Sequence, residues 1–167
     1  MKEDRLSINL LICLNKNMSA YAENRKAYLN YEILETFQAG LVLNGQEVKS
    51  IKSGRIQLAG SYVVFQGEDL FLTGANIPAY QPANAPQEYT SERPRKLLLH
   101  KKELRYLVGK IKEKRLTLVP LKVYNQKRKI KLEFGLARGK KRQDKREKIK
   151  KQDTQREIER ALKHGDV

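Results

Sequence analysis

Between Tyr31 and Phe134 turn residues cut the chain into short segments, and only one of these is a long helical repeat. Such a chain can bury its apolar side chains only by pairing many short strands. Ile33, Glu35, Phe37 and Ala39 fall on one face of a period-2 strand, with Glu32, Leu34, Thr36 and Gln38 on the other. Gly40 marks a bulge before Leu41-Val42-Leu43, and Asn44-Gly45 is a turn signal. Glu47 to Lys52 reads as a short helix closed by Gly54 in a left-handed cap. Ser61–Phe65 and Leu70–Thr73 read as a hairpin across Gly67-Glu68-Asp69. Pro78 to Pro94 reads as a long loop.

The long repeat runs from His100 to Lys114, where Leu104, Leu107, Val108 and Ile111 share one face. Thr117, Val119, Leu121 and Val123 then alternate through a strand whose Pro120 places it at an edge or at a bulge. Ile130, Leu132 and Phe134 alternate with Lys129, Lys131 and Glu133, a half-buried strand with lysines outward. The fold class is mainly β with flanking helices: a small antiparallel barrel carrying a basic C-terminal tail, disordered or helical.

Charge divides the chain further. Residues 93–133 hold fifteen Lys/Arg against three Asp/Glu, and residues 138–167 hold twelve against six. Cations gathered in this way point to a polyanion, nucleic acid first and an acidic membrane surface second. Four clusters carry the signal: Arg93-Pro94-Arg95-Lys96, Lys101-Lys102, Lys127-Arg128-Lys129 with Lys131, and Gly139-Lys140-Lys141-Arg142. Tyr80, Tyr89 and Tyr124 are candidates for base stacking, with core burial the commoner fate of such residues.

Other functions are excluded by what is missing. His100 and His164 are the only histidines, Cys13 is the only cysteine, and no zinc spacing, phosphate-binding glycine loop or nucleophile elbow appears. The chain reads as no enzyme, with no cofactor and no metal. One cysteine argues against a disulfide-stapled secreted protein, and Leu10–Leu14 is too short for a signal-peptide core. The expected location is cytoplasmic, with no membrane partner.

Residues 1–22 read as a polar leader, with translation starting at Met1 or at Met18, and residues 23–137 as the barrel domain that carries the nucleic-acid-binding charge. The tail, residues 138–167, has few large apolar residues. Asp144 with Glu147 starts a capping box, and Asp144–Lys148 and Glu147–Lys151 are spaced for ion pairs. A helix from Asp144 to Lys163 would span about 30 Å.

Asn24-Arg25-Lys26-Ala27, Tyr31-Glu32-Ile33, Glu47-Val48-Lys49-Ser50, Arg93 through His100, Gly135 through Lys141, and Asp144-Lys145-Arg146 together resemble the small protein B family, the SsrA-binding proteins. The resemblance covers roughly residues 23–163. Members begin just ahead of the Asn-Arg-Lys-Ala motif, which favours Met18 as the start. It implies a barrel of oligonucleotide-binding type and a partner, the tRNA-like domain of transfer-messenger RNA. It also implies delivery to stalled ribosomes with elongation factor Tu, and a tail that enters the empty mRNA channel at the decoding centre.

By the same resemblance Asn24, Arg25, Lys26, Gln38, Lys49, Leu98 and Lys131 are the candidate RNA contacts. Gly139, Lys140, Lys141, Gln143, Asp144, Lys145 and Arg146 are the candidate ribosome contacts of the tail. Two positions depart from the family pattern: Gln38 stands where Glu is common, and Gln143 where His or Tyr is common. A structural ribosomal protein is the alternative reading.

Overall fold

The computed structural model describes residues 20–84, 86–111, 116–140 and 154. The leader through residue 19, Cys13, Met18, Arg115, His164 and the tail residues Lys141, Gln143, Asp144, Lys145 and Arg146 lie outside them. The order of elements is β1 (Ala20–Glu23), α1 (Arg25–Asn30), β2 (Tyr31–Leu41), α2 (Gly45–Lys52), β3 (Tyr62–Gln66), β4 (Asp69–Thr73), β5 (Arg95–Leu98), α3 (Lys101–Ile111), β6 (Leu116–Gln126) and β7 (Lys129–Gly139).

All strand pairings are antiparallel. The sheet runs β1-β6-β3-β4-β5-β2-β7, and β7 pairs back onto β6, so six strands close into a ring. Closure leaves those strands without a free edge, as the barrel reading requires. One edge of β6 is shared, with Leu118 meeting Val63 of β3 and residues 122–124 meeting β1. Strand β1 therefore begins at Ala20, inside the stretch read as leader, and β7 runs through Gly139, into the stretch read as tail.

Inside the ring lies one apolar cluster built on Ala39, Leu70, Leu72, Leu97, Leu132, Phe134 and Leu136. Each fully buried Leu or Phe side chain there contributes roughly 1.5–3 kcal/mol. Helix α2 adds Ile51 and α3 adds Leu107. A second cluster forms on the outer face, where Ala27 of α1 packs with Val119, Leu121 and Ala137. Leu136 and Ala137 serve different clusters because successive strand residues point to opposite faces.

Two bulges explain where the alternation of the sequence misleads. Ile33 pairs with Ala137 and Glu35 with Leu136, so Leu34 has no partner. The extra residue turns Ile33 outward into the second cluster, away from the face of Phe37 and Ala39. Gly40, expected as the bulge, instead sits in register with both Leu98 and Lys131. The second bulge is at Leu121, beside Pro120, and it lies within the ring rather than at an edge.

Asn44-Gly45 starts a helix instead of a strand turn. The Glu47 carboxylate accepts from the Asn44 N–H at 2.8 Å, which fixes the first turn of α2. Gly54 ends it at φ +75° as expected, and the β3–β4 hairpin turns at Gly67. Helix α3 buries Leu107 and half-buries Leu104 and Ile111, but Val108 is 39% exposed, so its apolar stripe is narrower than the period suggests.

Candidate nucleic-acid interface

The cations divide by whether a carboxylate already holds them. Arg95 points inward with Leu97 and is fully buried, its Nε 2.9 Å from Oε1 of the equally buried Glu47. Its other nitrogens donate to Ala75 O at 2.6 Å and to Ser91 O at 2.7 Å. Arg93 Nε donates to the same Glu47 oxygen at 2.9 Å, and Lys96 pairs with Asp69. Arg95 is therefore framework and not a phosphate contact, whereas Arg93, with its side chain 30% exposed, and Lys96, 42% exposed, keep solvent access beside their carboxylates. The Glu47 counterion is 46 residues upstream of Arg93, out of sight of any local charge count.

Burial pushes the Glu47 carboxyl up, but hydrogen bonds from Arg93, Asn44 and Arg95 outweigh it and hold the group below its ordinary value. Burial, the largest influence, and the charge of Arg93 push the Arg95 guanidinium down against the charge and hydrogen bond of Glu47, and its net shift is downward. The two directions differ in sense, since the Glu47 charge is favoured and the Arg95 charge disfavoured, but the high ordinary value of a guanidinium keeps the desolvated pair ionised near neutral pH.

Two rows of paired residues cross β6, β7, β2 and β5. Lys122 opposes Glu133, which opposes Gln38, and Lys122 Nζ lies 3.2 Å from Glu133. In the next row Tyr124 opposes Lys131, which opposes Gly40, which opposes Leu98. Lys131 and Leu98 thus flank a glycine at two strand spacings, about 10 Å. Leu98 is 55% exposed, and a side chain at Gly40 would press on its Cβ at 3.4 Å. Lys127, Arg128, Lys129 and Lys131 pair with no carboxylate among the described residues. Lys127 and Arg128 form the β6–β7 turn, between Gln126 and Lys129.

None of the three tyrosines is a bare stacking platform. Tyr89 donates to Ile77 O at 2.7 Å and pins the long loop. Tyr80 lies under Arg55 at 5.1 Å and under Lys49 at 5.9 Å, which fixes the exposed Lys49 on α2. Tyr124 is 1% exposed, and its hydroxyl is pushed up to about 12 by burial and the charge of Glu133.

The remaining predicted residues gather elsewhere. Asn24 is 7% exposed and acts as a joint, its Nδ2 donating to Pro120 O at 3.0 Å and its Oδ1 accepting from Ala27 N at 3.3 Å. Arg25 and Lys26 are exposed on α1, and Arg25 lies 3.8 Å from Glu23. Helix α1 covers the tail-proximal half of the outer face. Gly139 pairs with Tyr31, and Lys140 donates from its N–H to Asn30 O at 3.0 Å and from Nζ to Tyr28 O at 3.1 Å.

Gln38, Leu98 and Lys131 are thus brought together, while Gly139 and Lys140 meet the C-terminal end of α1 and Arg25 and Lys26 lie at its other end, which is anchored at Pro120 and Leu121. From Lys131 to Gly139 is eight residues of one strand, about 26 Å at ~3.3 Å each. Sequence reasoning missed Lys52, which lines a groove with Leu98, Arg128 and Lys129. Its signal was present, because Lys52 follows Lys49 by three on one helix.

Among the described residues no helix is long and apolar enough to cross a membrane, and no cluster of His, Cys, Asp or Glu could hold a metal ion. The family model described as SmpB protein matches residues 21–164. An SsrA-binding protein of Acaryochloris marina is 45% identical over 91% of this chain and 99% of its own length. One from Carboxydothermus hydrogenoformans is 50% identical over 85% of this chain and 95% of its own. A solved structure described as "tmRNA-SmpB: a journey to the center of the bacterial ribosome" matches with a TM-score of 0.61. It is 46% identical and covers 77% of this chain and 93% of that one. With its family pattern spanning the closed ring and the charged tail alike, the chain belongs to the SmpB family of SsrA-binding proteins.

Proposed function

We propose that this chain binds the tRNA-like domain of transfer-messenger RNA through the outer face of β7, β2 and β5, and delivers that RNA to stalled ribosomes in trans-translation. The observation that carries the reading is the pair formed by half-buried Lys131 and exposed Leu98, on either side of the recess at Gly40. A cation beside an apolar side chain on a rigid sheet suits folded RNA, whose shape and backbone are gripped more than its base sequence. Gln38, one row away, keeps the reach and acceptor of the common Glu without its charge. The role is one of binding, with no reaction performed by the chain itself.

The RNA-binding body in this account is residues 23–137, extended by Ala20–Ala22 of β1 and by Arg138 and Gly139 of β7, with residues 1–19 as leader and the tail from Lys140 onward. Gly139 and Lys140 fix where the tail departs. Lys141, Gln143, Asp144, Lys145 and Arg146 follow as its contacts in the decoding centre and the empty mRNA channel. Elongation factor Tu joins through the shared RNA, and the factor works in the cytoplasm.

Titrating the tRNA-like RNA fragment against Lys131→Ala at several salt concentrations tests the site. The variant is expected to weaken binding and to flatten the log–log salt slope by about 0.9 for the lost phosphate contact. An unchanged slope removes Lys131 from the interface.

A further inference from the structure

The β6–β7 turn is built from the wrong residues for its shape. Lys127 has φ +48° and Arg128 has φ +65°, side by side in the left-handed region. A two-residue hairpin turn with both φ positive strongly favours Asn-Gly, because a side chain there crowds its own backbone. Strain of this kind persists where something else requires the residues, and it gathers at binding sites. Here both residues are cations unpaired with any carboxylate among the described residues. Next to the turn is a groove of about 290 Å3 whose floor includes Leu43, Val48 and Leu98 and whose rim is Lys52, Arg128 and Lys129. Cations around an apolar floor complement a nucleotide, with its phosphates at the rim and its base or sugar below.

We propose that the strained Lys127–Arg128 turn is a phosphate grip, and that with Lys52 and Lys129 it seats one nucleotide segment of the bound RNA in the groove beside Leu98. The inference rests on the RNA-binding reading and extends the contact surface from Lys131 to the hairpin tip. In the register Gln126 pairs with Lys129 and Tyr124 with Lys131, so tip and patch are consecutive on one hairpin. An acidic membrane would use the same cations but has no use for the groove floor.

Lys127→Asn with Arg128→Gly gives the turn the residues its backbone favours and removes both charges. The full-length double variant is compared with wild type by thermal unfolding, and by titration with the tRNA-like RNA fragment and with heparin. The expected result is a melting temperature higher by a few degrees, RNA affinity lower by roughly tenfold or more, and a salt slope shallower by about two contacts. Heparin, which carries charge without bases, is expected to lose less than RNA. A more stable variant with unchanged RNA affinity overturns the proposal, as does a less stable variant, since the turn would then be unstrained. Equal losses for RNA and heparin overturn the seat for a nucleotide. Failure of the wild-type protein to bind the fragment would instead remove the RNA-binding reading itself.

Discussion

Arg95 lies in the interior with its Nε 2.9 Å from Oε1 of Glu47, and neither side chain reaches solvent. The contact ties β5 to α2 and, through Ala75 O and Ser91 O, to the segment just after β4 and to the long loop. The centre of the most conspicuous basic run in the middle of the chain therefore holds the molecule together.

Replacing Glu47 with Gln is expected to cost about 3–5 kcal/mol, because it leaves a buried guanidinium without its counterion. Urea denaturation measures it. A loss below 1 kcal/mol would show that Arg95 finds compensation elsewhere.

The same carboxylate sets an acid limit. Its folded pKa is depressed below the ordinary value of 4.5, so its contribution is present above that value and is lost as pH falls through the folded pKa. Between pH 6 and 3 the wild-type urea midpoint should fall more steeply than that of Glu47→Gln. Parallel curves would place the acid sensitivity in other groups.

Among the described glycines, Gly135 has the least room for a side chain. A Cβ built there would meet Ile33 Cγ2 at 2.8 Å, with Glu35 O and Leu121 Cδ1 each at 3.4 Å. Gly135→Ala should destabilise by ~1–3 kcal/mol through overpacking. Adding Ile33→Ala should recover part of that loss. Strict additivity of the two changes would mean the strands separate rather than the side chains collide.

Asn24 and Lys131 are expected to fail in different ways. Asn24→Ala removes a helix cap and leaves Pro120 O without its side-chain donor, so the melting temperature should fall, by the equivalent of ~1–3 kcal/mol, with the RNA salt slope unchanged. Lys131→Ala should leave the melting temperature alone and flatten the slope. A flattened slope for Asn24→Ala would make it a direct RNA contact.

The strand pattern was legible wherever alternation was unbroken, as in Ile130, Leu132 and Phe134, and the Gly67 and Gly54 turns announced themselves by residue type. The bulges at Leu34 and Leu121 were not, because an extra residue is defined by the partner strand and leaves no local mark. The Glu47 counterion was hidden for the same reason, since burial and pairing across 46 residues are properties of the closed ring. Leu98 and Lys131 stand out by family resemblance, and the register explains their adjacency through Gly40, which the sequence alone marks as a bulge. The division of the cations into paired and unpaired could not be read from their count.

The central claim is that RNA is gripped at the Lys131 end of β7 and the tail leaves from the Gly139 end, about 26 Å away along the strand. Truncation after Lys140 keeps every described pairing of β7 and removes residues 141–167. The direct measurement is RNA affinity alongside peptide tagging on stalled ribosomes for this truncated chain. The account predicts affinity within a few-fold of wild type and tagging abolished. An equal loss of both would contradict it.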